Sequence, residues 1–227
     1  MDQKHIALLI FALSPEAELE HKNISGEKAL YTLLNEHSLK LAKGMGIPYF
    51  HFTERDQEGN TFGERYTHAI KKIFALGYDG VITIGNDSPG LTIRHLQTAY
   101  QNLLRGNTVL GPSLDGGFYL LAIPKSIFSA KEFLSIPWKS ARVFRQMHGL
   151  LNRRNGESLV LDPLCDLDSQ ADIAYILDSH INIPFGIKMI LIESRLLEPI
   201  AKTGSVFYTS LQHQVLILNR GSPAIAA

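Results

Sequence analysis

The chain has 227 residues, 45% of them apolar, with a single cysteine and 22 basic against 22 acidic side chains. That size and apolar content suit one sizeable domain, or one domain with an appendage. Zero formal charge supplies no global field for a polyanion, which argues against nucleic-acid coating; the lone Cys165 rules out an internal disulfide or a cysteine-rich zinc knuckle and fits a reducing cytoplasm.

The first apolar run, Ile6 to Leu13, is far too short to span a bilayer. It has no small-residue cleavage pattern, and Ser14-Pro15-Glu16 stops it, so it reads as a buried first strand over 6–12 rather than a signal sequence or membrane segment. A helix is expected from Ser25 to about Lys43, with Leu30, Leu33, Leu34 and Leu41 as its stripe and Gly44 at its end. A second strand follows over 47–52, a polar loop over 53–60, and a helix over 62–76 with Ala69, Ile70, Ile73 and Phe74 inward. The third strand spans 79–84, a third helix 92–105, and the fourth strand 107–110. Another strand is expected at 118–123, then helices at 127–134 and 141–154, a short strand at 158–161 and a helix at 170–178. This alternation predicts an α/β fold with a doubly wound, mostly parallel sheet. Pro184 divides a domain over 1–184 from an extension over 185–227, whose stretches "GSVFYTS" and "HQVLILN" suggest strands. The extension either completes a sheet edge or makes a homodimer.

In open α/β sheets ligands bind beyond the carboxyl ends of the strands. Asp87 follows the third strand directly, in "VITIGNDSPGL". Asp115 lies just past the fourth, in "GPSLDGGFYLLAI". Asp162, Asp166 and Asp168 follow the late strand, in "LDPLCDLDSQADI". Three of them have a plain structural reading: an Asx turn at Asp87, a turn at Asp115-Gly116-Gly117, and an N-cap at Asp168. Together, all after strands, they suit a hard divalent cation such as Mg2+ or Mn2+, which takes oxygen ligands. Neighbouring strands lie about 4.8 Å apart, so one cation can bridge adjacent loops. Gly116 and Gly117 let backbone approach a ligand closely. Phe118 reads as core, as does Trp138, with an acceptor pocket as the alternative for Trp138. Cys165 reads as a packed thiol, and the nine scattered histidines form no short metal-binding pair. No G-x-G-x-x-G follows the first strand, which weighs against a dinucleotide-dependent oxidoreductase.

"IGNDSPGLT" (84–92) followed by "VLGPSLDGGFYLLAI" (109–123) resembles a bacterial family of nucleotide-diphospho-sugar transferase-like proteins. Their fold is of the glycosyltransferase A type, related to the molybdopterin-cofactor and phospholactate or phosphoenolpyruvate nucleotidyltransferases. "FGERYTHAI" (62–70), "IPW" (136–138) and "CDLDSQADI" (165–173) resemble further family segments, and the likeness covers about residues 5–180. It implies a nucleotide or nucleotide-sugar donor, a small-molecule acceptor and a divalent cation held by Asp87. It further implies Asp166 and Asp168 as metal ligands and Asp115 on the acceptor side as the nearest general base. The backbone of Ala12, Leu13 and Ser14 would contact base or ribose, with Asn86 beside it, and Arg65 would meet phosphate unless it is a helix-surface ion pair.

One departure stands out. The family opens its first loop with K-x-P-x-x-G-x-x-K-T-R-L, whose cations suit phosphates. Here the stretch is "FALSPEAELEHKNI". Leu13 stands where Lys is expected and Glu18 where Gly is. His21-Lys22-Asn23 replaces Lys-Thr-Arg, leaving only Lys22, one place out of register. Two functions stay open: a metal-dependent glycosyl- or nucleotidyltransferase, and a transferase-fold protein that binds a nucleotide or partner without turnover.

Overall fold

The structure, a computed structural model, describes residues 4–21, 28–179 and 181–196. Six strands form one sheet: β1 (Ile6–Phe11), β2 (Tyr49–Phe52), β3 (Gly80–Ile84), β4 (Val109–Pro112), β5 (Phe118–Pro124) and β6 (Leu159–Val160), in the order β2-β1-β3-β5-β4-β6. Strand β1 pairs parallel with β2 and β3, and β4 parallel with β6. Only β5 runs antiparallel, against both β3 and β4. Its reversal follows from the connection. Residues 113–117 are too few for a parallel crossover, which needs a dozen or more residues, so "SLDGG" closes a hairpin instead.

Alternate residues of the central strands feed two cores. Ala7, Leu9, Val81, Leu110 and Leu121 face one side. There they meet α3 (Phe62–Ala75), α5 (Ala130–Leu134) and α6 (Val143–Asn155) through side chains such as Ile70, Phe133 and Met147. Leu8, Ile10, Ile82, Val109 and Leu120 face the other side, under Ala42 of α2 (Lys28–Gly44) and Leu96 of α4 (Ile93–Leu104). Helices on both faces, with strands apolar on both faces, give the doubly wound layering. Thr61 caps α3: its hydroxyl accepts the Glu64 N–H at 3.2 Å, and Glu64 accepts the Thr61 N–H at 3.0 Å. This reciprocal box fixes where the helix begins.

A third apolar cluster joins Leu30, Tyr31 and Leu34 to α7 (Gln170–Asp178) and α8 (Phe185–Leu196), through Ile173, Ile176, Ile187 and Leu191. The described part of the expected extension is therefore a helix. Ile187, Ile190 and Leu191 repeat at helical spacing, and that period outweighs the β-branched content. "GSVFYTS" and "HQVLILN" lie outside the described residues, as does Ser25, the expected cap of α2. Residues 15–21, expected as loop, form a short helix, α1 (Pro15–His21). No helix among the described residues is long and apolar enough to cross a membrane.

Candidate active site

The loops after β1, β3, β4 and β6 leave the sheet at one edge, and β5 starts there. A set of short hydrogen bonds ties these loops together. Leu164 donates its N–H to Pro112 O at 3.0 Å, and Leu114 returns one to Leu164 O at 3.0 Å. Leu167 N–H then reaches Asp87 O at 2.8 Å. The segment carrying Asp166 and Asp168 is thus laced to both the β4–β5 hairpin and the turn after β3. At this edge lies a cleft of about 300 Å³, and Asp87, Asp115, Asp166 and Asp168 all line it.

The four carboxylates differ in setting. Asp115 and Asp168 are exposed, while Asp87 and Asp166 are half-buried. Asp115 accepts the Gly117 N–H at 2.8 Å, which pins one oxygen in an Asx turn. The Ser88 hydroxyl donates to Asp166. Burial pushes the Asp166 carboxyl up to about 8, with help from the negative charge of Asp87 and, more weakly, Asp115; hydrogen bonds from Ser113 and Ser88 oppose the shift. Both causes penalise the ionised form of Asp166. Among the described residues no group of three or more His, Cys, Asp or Glu is drawn together closely enough to hold a metal ion. The donor set itself, oxygen only, fits Mg2+ or Mn2+.

The rest of the lining is largely aromatic; of these rings the sequence suggests core roles for Phe118 and Trp138, with an acceptor pocket as the alternative for Trp138. Trp138 packs against Phe62 at 5.3 Å, Tyr66 at 5.3 Å and Phe118 at 6.0 Å between ring centres. Phe11 meets Tyr66 edge-on at 5.3 Å. All five rings line the cleft. Trp138 is anchored by its indole N–H, which donates to Phe133 O at 2.8 Å. It lies so close to α3 that a Cβ on Gly63 would sit 2.3 Å from its ring. Gly63 of "FGER" is a seat for this indole. Burial raises the Tyr66 phenol far above its ordinary range, and its hydroxyl bonds to Thr83, so it stays neutral.

The remaining expected site residues fall in and out of this lining. Gly117 lines the cleft. Gly116, at φ 95°, supports the hairpin: a Cβ there would lie 2.3 Å from the Ala141 carbonyl oxygen. Asn86 is buried and turned inward, donating to Asn35 at 2.7 Å and to Glu18 at 3.4 Å. Asn35 in turn donates to Leu13 O at 3.1 Å. Ser14 gives both its N–H and its hydroxyl to Glu54, at 2.9 and 3.0 Å, which holds the Glu54 carboxyl below its usual range. Its hydroxyl also accepts Ala17 N–H at 3.3 Å, as the cap of α1. Ser14-Pro15-Glu16 was a legible helix start: a cap, Pro at the first position and acid in the first turn. Ala12, Leu13, Ser14, Asn86 and Arg65 do not line the cleft; Lys22 lies outside the described residues.

Residues 44–140 match the family model described as "Uncharacterized protein conserved in bacteria (DUF2064)". Among solved structures, a candidate nucleotide-diphospho-sugar transferase from Desulfovibrio desulfuricans G20 is similar with a TM-score of 0.66 and 23% identity, covering 86% of this chain and 96% of that one. Rv0371c from Mycobacterium tuberculosis H37Rv is similar with a TM-score of 0.54 and 12% identity, covering 78% and 99%. No curated protein matches the chain. The mixed sheet and these likenesses agree on the fold: the chain has the fold of the nucleotide-diphospho-sugar transferase-like proteins, and its residues 44–140 are similar to the DUF2064 model.

Proposed function

We propose that the protein is a metal-dependent transferase that uses a nucleotide or nucleotide-sugar donor and delivers a glycosyl or nucleotidyl group to a small-molecule acceptor. The observation that carries this reading is the meeting of Asp87, Asp115, Asp166 and Asp168 on one cleft, at the end of the sheet where α/β folds bind ligands. The fold likeness to the Desulfovibrio protein supports it. Asp87, Asp166 and Asp168 are the residues that would hold Mg2+ or Mn2+. Such a cation, when bound, offsets the charge of a diphosphate.

The chain's own groups have separable tasks. Gly117 leaves space beside Asp115, whose second oxygen is free of the Gly117 contact. In glycosyl transfer that carboxylate would take the acceptor hydroxyl's proton. In nucleotidyl transfer the acceptor brings its own phosphate or carboxylate as nucleophile, and no proton need pass to Asp115. The wall of Trp138 and Phe118 offers ring faces to a base or to the apolar face of a sugar and keeps water from that side. The test is a thermal-shift panel of nucleotides and nucleotide sugars, with and without manganese. The transferase reading expects one nucleotide class to stabilise the protein only with the metal. Stabilisation by none, under either condition, would contradict it.

One observation favours the alternative, a transferase-fold protein that binds without turnover. Glu54 occupies the N–H and hydroxyl of Ser14, at the end of β1, and α1 places Glu16 and Glu18 in its first turn. Acid gathers beside a loop whose family counterpart carries phosphate-binding cations. Metal-dependent nucleotide binding with no hydrolysis or transfer to any acceptor would support this second reading.

A further inference from the structure

We infer that Lys139 is the phosphate-binding cation of this cleft, in place of the basic first loop that the chain lacks; the inference rests on the transferase reading above.

Four observations converge on it. First, Lys139 is the one cationic side chain among the described residues lining the cleft, which it shares with four aspartates. A diphosphate entering there meets the negative charge of these carboxylates, and a bound cation answers only part of it. Second, Lys139 is the one described non-glycine residue with positive φ, at 64°. Lysine lacks the short polar side chain that lets Asn or Asp settle in that region, so the turn must be imposed by its surroundings.

Third, those surroundings are tight on both sides. Trp138 is fixed by its bond to Phe133 O at 2.8 Å and by its seat on Gly63. The Ser140 hydroxyl donates to Pro137 O at 2.7 Å, and Val143 N–H to Ser140 O at 3.1 Å. The base of the lysine is rigid while its stem is exposed. Fourth, the ion pairs formed among the described residues leave Lys139 out. A flexible ammonium on a rigid base suits phosphate oxygens, which it meets as a point charge.

The test uses manganese pyrophosphate, which carries no base or sugar, together with manganese complexes of UDP, GDP, CDP and ADP. Binding is measured by calorimetry to wild type, Lys139→Gly and Lys139→Arg. Glycine accepts the positive φ, so Lys139→Gly keeps the turn and its melting temperature should equal or exceed that of wild type. We expect Lys139→Gly to weaken binding of the phosphate ligands at least about tenfold and Lys139→Arg to stay within about threefold, as loss and retention of a charge-assisted contact require. Manganese alone should bind all three alike. Equal affinities for wild type and Lys139→Gly, or an equal loss in Lys139→Arg, would overturn the inference and leave the transferase reading standing. A wild type that binds none of the phosphate ligands would overturn that reading and this inference with it.

Discussion

Leu167 donates its backbone N–H to the carbonyl oxygen of Asp87 over 2.8 Å. This bond joins two sequence segments eighty positions apart and holds Asp166, the neighbour of Leu167, beside the turn after β3. With the Ser88 hydroxyl on Asp166, it presses like charges together. The raised Asp166 carboxyl reflects burial first and repulsion from Asp87 second, and both penalise its ionised form.

Asp166→Asn should relieve that repulsion. The metal-free variant is expected to be more stable by about 1 kcal/mol, which in a chain of this size raises Tm by about 2–4 °C. It should also lose most of the stabilisation that manganese gives wild type. Melting curves in EDTA and in manganese check both parts. A lower Tm in EDTA would show that Asp166 supports the fold rather than straining it.

The seat of the indole makes a second prediction. A methyl at Gly63 would lie 2.3 Å from the Trp138 ring, so Gly63→Ala must push the indole off α3. Overpacking of this kind costs about 1–3 kcal/mol. Trp138 is the only tryptophan in the chain, so its fluorescence reports the move directly. A changed emission spectrum with a lower Tm is expected. An unchanged spectrum would show that α3 shifts and the indole stays.

How much of this was visible in the residues alone differs from element to element. The central strands were legible because continuous apolar runs such as "IALLIF" leave no other reading. The reversal of β5 was within reach, since "SLDGG" is a hairpin turn and too short for a crossover. Helix α1 was missed because "SPEAELE" was compared with a family loop and not read for its cap. The acidic members of the cleft follow strand ends, so their placement could be expected from topology. The aromatic wall could not: Phe11, Phe62, Tyr66, Phe118 and Trp138 come from β1, α3, β5 and a turn, and no single period links them. Lys139 was invisible for a related reason, since its neighbour Trp138 is seated on Gly63 of α3, far earlier in the chain.

Glu54 offers a third prediction. Glu54→Ala removes the bond to Ser14, and because the pair is partly exposed the cost should be only about 0.5–1 kcal/mol. Loss of its charge should also strengthen binding of anionic ligands near the end of β1. Affinity for manganese with a nucleoside diphosphate, measured in both proteins, decides this. A weaker affinity in Glu54→Ala would mean that the carboxylate assists binding.

Acid should destabilise the protein through His37. Burial depresses its pKa, despite the carbonyl of Leu91 at 2.9 Å. A histidine whose pKa is lower folded than unfolded contributes stability that is present above about 6.5 and lost as pH falls through the folded value. His37→Gln, which can still donate to Leu91, should show a smaller fall in Tm between pH 7 and pH 5 than wild type. Parallel curves for the two proteins would remove His37 from the account.

The most direct measurement is a titration of Mn2+ into metal-free wild type, Asp87→Asn and Asp168→Asn, followed by the electron paramagnetic resonance of the free ion. One site in wild type is expected, weakened at least about tenfold in each variant, as loss of one carboxylate from a small oxygen shell requires. Wild-type affinity in both variants would contradict the shared cation on which the proposed function depends.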